Sequence, residues 1–124
     1  MKRIALIAHD NCKKDMITFC QKHKDILAQN FLCGTGTTAT KINEATGLPV
    51  KAYCSGPLGG DMQIGGQVAE GKVDIVFFFI DSLTAQPHDP DIKALLRVAQ
   101  VYNIPIATNT QTVEYIITSP LMTK

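Results

Sequence analysis

IVFFFI, residues 75–80, decides the fold. An unbroken apolar run of aromatic and β-branched side chains reads as a strand. Because nothing polar alternates with the apolar positions, both faces of that strand must be covered, as in a parallel sheet held between helical layers. IALIA (4–8) has the same character, and NFLC (30–33), VKAYC (50–54) and IPIA (104–107) supply three further short strands. Between them the period changes to that of a helix. Met16, Ile17, Cys20, Ile26 and Leu27 form an apolar stripe within 13–28, and Ile92, Leu95, Leu96 and Ala99 form one within 91–102, with Pro90 suited to its first turn. Shorter helices are expected over 38–45 and 61–70, and Val113, Ile116 and Ile117 mark a last one before Pro120. Strand and helix alternate through all 124 residues without a linker or repeat. The expectation is α/β: a single domain over 1–124, with a doubly wound, mainly parallel, five-stranded Rossmann-like sheet.

Composition narrows the classes of function. Twelve basic residues stand against 11 acidic ones, for a net charge of +1, so no field favours nucleic acid or an anionic membrane surface. Lys13, Lys14, Lys22 and Lys24 alternate with apolar positions and read as a solvated helix face, with His23 at the surface among them. The four cysteines, Cys12, Cys20, Cys33 and Cys54, lack the spacing of a zinc site. The basic start MKRIALIAHD has too short an apolar run for a signal peptide, and no run is long enough to span a membrane. A cytoplasmic protein with reduced thiols and no metal is expected.

In open α/β sheets ligands bind beyond the carboxyl ends of the strands. The candidate site is therefore made of the segments at those ends: HDNCK (9–13), GTGTT (34–38), SGPLGGD (55–61), DSLTAQPHDPD (81–91) and TNTQT (108–112). GTGTT brings backbone N–H groups to a helix start, including those at Gly36, with hydroxyls on Thr35, Thr37 and Thr38. It reads either as a phosphate cradle or as an ordinary cap. Ser55 and Gly56 offer more donors, and Lys13 a cation. The loop matches neither G-x-x-x-x-G-K-[ST] nor G-x-G-x-x-G. Asp61, after Gly59-Gly60, is either an N-cap or a general base, in a loop whose glycines admit a ligand to bare backbone. His88 is suited to donate to a developing enolate oxygen, and Asp91 to orient that histidine or shuttle a proton, while Asp89 reads as the cap of the Pro90 helix. His9 reads as a ligand contact at the end of the first strand. Cys12 lacks the arginine six residues on that a cysteine phosphatase needs, and Arg97 reads as surface or interface.

AHDNCK, GTGTT, SGPLGGD, the FF-x-D run at 78–81, PHDPD, KALLRVA and NIPIATN, in this order, resemble the methylglyoxal synthase family over nearly the whole chain. The resemblance implies conversion of dihydroxyacetone phosphate into methylglyoxal and inorganic phosphate without a metal or organic cofactor, in a homohexamer. It implies that Asp61 is the catalytic aspartate and that Lys13, Thr35, Thr37, Thr38, Ser55 and Gly56 bind phosphate. His9 and His88 would contact substrate, and Asp91 would be the second acidic group. Asp10 and Asp81 match acidic positions of the family pattern without a fixed role. Many members carry a longer C-terminal tail beyond the position of SPLMTK, so what the resemblance implies is not extended to tail-dependent contacts at a subunit interface. Two other classes fit the same fold. A regulatory module binding small anions would have no use for Asp61, His88 and Asp91 together. A phosphoacceptor receiver domain would need an aspartate after the third strand, where Ser55 and Gly56 stand.

Overall fold

The computed structural model describes residues 1–124. Five parallel strands form one sheet: β1 (Arg3–Ala8), β2 (Phe31–Gly34), β3 (Lys51–Ala52), β4 (Ile75–Phe79) and β5 (Ile106–Ala107). Their spatial order is β3-β2-β1-β4-β5, so the chain winds outward from β1 in one direction and then returns to build the other half beside it. Register is set by pairs such as Leu6 with Gly34 and Leu6 with Phe77.

The unbroken apolar runs are explained by burial on both faces. Ile4, Leu6 and Ala8 of β1 and Ile75, Phe77 and Phe79 of β4 point into one core, with Met16, Phe19, Ile42, Val113 and Ile117. Ala5, Ile7, Val76 and Phe78 point the other way, onto Ile64, Val68, Ile92 and Leu95. Helices α1 (Lys13–Lys22), α2 (Lys24–Ala28), α3 (Gly36–Thr46) and α6 (Thr110–Ile117) therefore cover one face, and α4 (Gly60–Ala69) and α5 (Asp89–Val101) the other. The sheet is doubly wound, as expected from the sequence.

Three expectations need correction. The edge strands β3 and β5 are shorter than VKAYC and IPIA suggest, pairing over only two residues each. The helix expected over 13–28 is broken at His23, whose backbone leaves helical geometry. His23 is not a surface residue: it is buried against Phe19 and its Nε2 lies 2.9 Å from Glu114 Oε2 on α6. No helix is long and apolar enough to cross a membrane.

Candidate active site

A cavity of about 240 Å³ opens at the carboxyl ends of β1 to β4, where the direction of winding reverses. It is lined by His9, Asp10, Lys13, Thr35, Thr37, Ser55, Gly56, Asp61 and His88, all read from the sequence as candidates, together with Ile7, Ala8, Pro57 and Gln86.

Asp61 is carried by a backbone device. Gly59 adopts φ 98°, a left-handed conformation that favours glycine, and starts α4. Gly60 follows with no room for a side chain: a Cβ there would collide with the carbonyl oxygen of Cys54. This closeness turns Asp61, in the first turn of α4, into the cavity floor at 1 % exposure. The Gly59-Gly60 pair thus shapes the turn rather than admitting a ligand, and Asp61 is not the N-cap, since that position belongs to Gly59. Both Asp61 carboxylate oxygens lack a hydrogen-bond partner. Burial pushes the Asp61 carboxyl above its usual pKa; His88 works against that shift, and the charge of Asp91 adds to it.

Above it stands His88, 7 % exposed, with Nε2 3.6 Å from Asp61 Oδ2, too far for a hydrogen bond. Gly56 lies against this ring: a Cβ on Gly56 would sit 2.7 Å from His88 Nε2. His88 is also the N-cap residue of α5, without a side-chain cap bond, so Asp89 is the first helical residue and not the cap. Asp91 does not line the cavity, and no hydrogen bond joins its carboxylate to His88. Its backbone N–H donates to the His88 carbonyl oxygen at 2.9 Å, and its side chain acts on Asp61 through charge.

His9 ends β1, edge-on to the Phe78 ring at 5.3 Å and to the His88 ring at 5.7 Å. Its Nδ1 accepts from the Asp81 backbone N–H at 2.9 Å, which leaves the proton of the neutral ring on Nε2. Burial lowers the His9 pKa, and the electrostatic influence of His88 and Lys13 lowers it further, while Asp81 and Asp89 oppose them. Asp81 is fixed in turn: its carboxylate accepts from Asn11 Nδ2 at 2.8 Å and from the Leu83 N–H at 3.1 Å, and it lies outside the cavity lining. The buried side-chain polar atoms without a partner are His9 Nε2, Asp61 Oδ1 and Oδ2, and His88 Nδ1. Every one belongs to this cavity. Buried polar groups are ordinarily paired, so this concentration marks the place where a polar ligand completes the structure.

The other wall is made of donors. Thr35 is the N-cap residue of α3, yet its side chain makes no capping bond; its hydroxyl donates instead to Thr38 Oγ1 at 3.3 Å. Thr38 bridges to β1 through the Ala8 carbonyl oxygen at 3.3 Å, so it braces the loop and does not line the cavity. Gly36 is committed as well, donating its N–H to the Cys54 carbonyl oxygen at 3.2 Å. The first amides of a helix have no intrahelical acceptor, and that of Thr37, which lines the cavity, remains for an anion. Lys13, 12 % exposed, is held by the Ala8 carbonyl oxygen at 2.7 Å and by Asp10 Oδ1 at 3.1 Å. Asp10 itself is fully in solvent.

Ile7 and Ala8, at the end of β1, and the loop residues Gln86 and Pro57 are the lining residues that sequence reasoning did not single out. Their signal was position alone, at a strand end or within loops already marked as site loops.

A doubly wound parallel sheet with its unpaired polar groups gathered at the switch point is a ligand-binding α/β domain, and its class is that of the MGS-like domain, whose family model matches residues 15–108. The chain is 62% identical over 115 residues to the methylglyoxal synthase of Clostridium beijerinckii, covering 93% of this chain and 97% of that one. It is 58% identical over all 124 residues to that of Leptospira interrogans, covering 84% of the relative. The crystal structure of methylglyoxal synthase from Elizabethkingia anophelis superposes with a TM-score of 0.92 at 47% identity, over 98% of this chain and 80% of that one. The chain belongs to the methylglyoxal synthase family.

Proposed function

We propose that this cavity carries out the reaction for which the family is named: dihydroxyacetone phosphate is converted to methylglyoxal and inorganic phosphate, a carbon–oxygen lyase reaction. The observation that carries the reading is the buried, unpaired Asp61 carboxylate facing His88. A carboxylate with a raised pKa and no partner is a stronger base than an exposed one.

Asp61 takes a proton from the hydroxymethyl carbon. Negative charge moves to the neighbouring carbonyl oxygen, where N–H donors from His88 and His9 receive it. The hydroxyl on the deprotonated carbon gives its proton to that oxygen and becomes the aldehyde carbonyl. The enediolate electrons form the new carbon–carbon double bond as the C–O bond to phosphate breaks. The electron pair leaves with the phosphate, which takes up the proton removed by Asp61, and the enol that remains tautomerises to methylglyoxal. Thr35, Thr37, Ser55, Gly56 and Lys13 hold the phosphate. They also control the outcome, because elimination needs the breaking C–O bond perpendicular to the enediolate plane. An isomerase acting on the same substrate keeps that bond in the plane. Positioning of this kind is worth several kcal/mol. Asp91 acts in this scheme by raising the basicity of Asp61, and Asp10 by holding Lys13 at the mouth. Assembly as a homohexamer belongs to the same proposal, and light scattering of the purified protein tests it.

Purified protein incubated with dihydroxyacetone phosphate, without added metal, is expected to release methylglyoxal and inorganic phosphate in equal amounts, and the Asp61→Asn variant neither. Phosphate binding without either product would point instead to a regulatory module.

A further inference from the structure

His9 and His88 both line the cavity and each carries a buried, unpartnered nitrogen, but only His9 has its other nitrogen tied to a backbone donor. A backbone N–H can only donate, so His9 Nδ1 must stay unprotonated for that bond to exist. The donor belongs to Asp81, one residue past the end of the β4 run, and something must aim it. Asp81 sits in the exposed loop after β4, and its own carboxylate is gripped on both oxygens: Leu83 N–H on Oδ1 at 3.1 Å and Asn11 Nδ2 on Oδ2 at 2.8 Å. Leu83 belongs to the same loop and moves with it. Asn11 does not. It lies in the 3₁₀ turn Asp10–Cys12, directly after His9. The Asn11 amide is thus the side chain that ties the loop after β4 to the loop after β1, across the switch point.

We infer that Asn11 is a positioning residue: by clamping the Asp81 carboxylate it aims the Asp81 amide at His9 Nδ1, and so keeps His9 as a donor from Nε2 into the cavity. The inference rests on the lyase reading for its catalytic consequence, but not for its structural content. His88, Lys13, Asp81 and Asp89 are the charged or titratable groups that act on the His9 ring. If Asn11 releases Asp81, the ring is free to take the other tautomer, which turns an acceptor lone pair toward the oxygen where negative charge develops. Phosphate contacts are left in place, so the loss falls on kcat and not on KM.

Nitrogen-15 NMR of the histidine rings and steady-state kinetics, on the full chain and on two variants, test it. Asn11 is exposed, so neither substitution disturbs the core. In the unsubstituted protein His9 is expected to show a protonated Nε2 and a bare Nδ1 at neutral pH. Asn11→Leu removes the donor at similar volume. It is expected to shift the His9 nitrogen signals toward mixed tautomers and to lower kcat roughly tenfold, with KM nearly unchanged. Asn11→His restores an N–H donor and is expected to recover both signals. A protonated Nδ1 in the unsubstituted protein overturns the inference, as does an Asn11→Leu variant in which kcat and the His9 spectrum do not move together. If no methylglyoxal is formed by any of the three proteins, the lyase reading fails, and the spectra alone decide whether Asn11 sets the tautomer.

Discussion

At Asp61 two local forces disagree. The first turn of a helix favours a carboxylate, whereas 1 % exposure without a hydrogen-bond partner disfavours its charge, and burial wins. The disagreement has a cost in stability that can be read by pH. Below the ordinary carboxylate value of 3.8, Asp61 is protonated in both the folded and unfolded chain, and it costs nothing. As pH rises, the unfolded chain ionises first, so stability falls until the raised folded pKa is passed and stays lower above it. Asp61→Asn is therefore expected to match the wild-type Tm in strong acid and to exceed it at neutral pH by on the order of a few degrees, while turnover is lost. Calorimetry across pH, beside the product assay, checks both; a Tm below wild type at neutral pH would mean the carboxylate is paired. Gly56 gives a second residue-scale test. It does not have a positive φ, so alanine fits its backbone, but the new Cβ falls 2.7 Å from His88 Nε2. Gly56→Ala is expected to displace the ring and cost about 100-fold in kcat/KM, with overpacking lowering stability by about 1–3 kcal/mol.

Elements were legible in the sequence to the extent that burial imposed a pattern. β1 and β4 were unmistakable because both faces are packed, which leaves no polar residue in either run. VKAYC and IPIA looked like the same kind of strand, yet each forms only two residues of edge pairing, and both paired residues of β3 are exposed: a short apolar run does not by itself mean a strand covered on both faces. The break between α1 and α2 was invisible because its cause is distant. His23 bonds Glu114, 91 positions away, and nothing within KHK marks that partner. The same limit applies to the site. The loops after the strands could be listed from the sequence, but Asp91 acting through charge, Thr38 bracing and Gln86 lining the wall depend on side-chain direction. Glu114 tests the element-scale reading. It also meets Lys22 Nζ at 3.3 Å, so α6 is pinned to the α1–α2 corner by this one side chain. Glu114→Ala leaves the buried His23 Nε2 without its partner and is expected to cost about 1–3 kcal/mol in urea unfolding. Because α6 contributes nothing to the cavity lining, kcat should stay at the wild-type value; a large drop would mean that this corner is coupled to the site.

For the whole molecule, the parallel sheet sends β1, β2, β3 and β4 toward one cavity, and the groups that wait there are neighbours only in the folded state. Lys13 comes after β1, Thr37 after β2, Ser55 and Gly56 after β3, and His88 after β4. An anion held by these groups together binds the native state and has no counterpart site in the unfolded chain, so its binding free energy adds to global stability. For inorganic phosphate at about 100 times its Kd the gain is about 2.7 kcal/mol, which is a Tm rise of several degrees for a domain of this size. The expected rise should persist at fixed ionic strength, since screening by chloride acts on exposed charges everywhere, whereas the cradle answers to phosphate geometry. Thr37→Ala and Lys13→Met should each shrink the phosphate-dependent rise while leaving the phosphate-free Tm within a few degrees of wild type. Glu114→Ala should lower both curves in parallel, because it weakens the frame without touching the cradle. If chloride at matched ionic strength reproduces the full phosphate effect, the anion is acting on the general charge of the surface. The strand ends would then hold no phosphate cradle, and the orientation argument for elimination would lose its support.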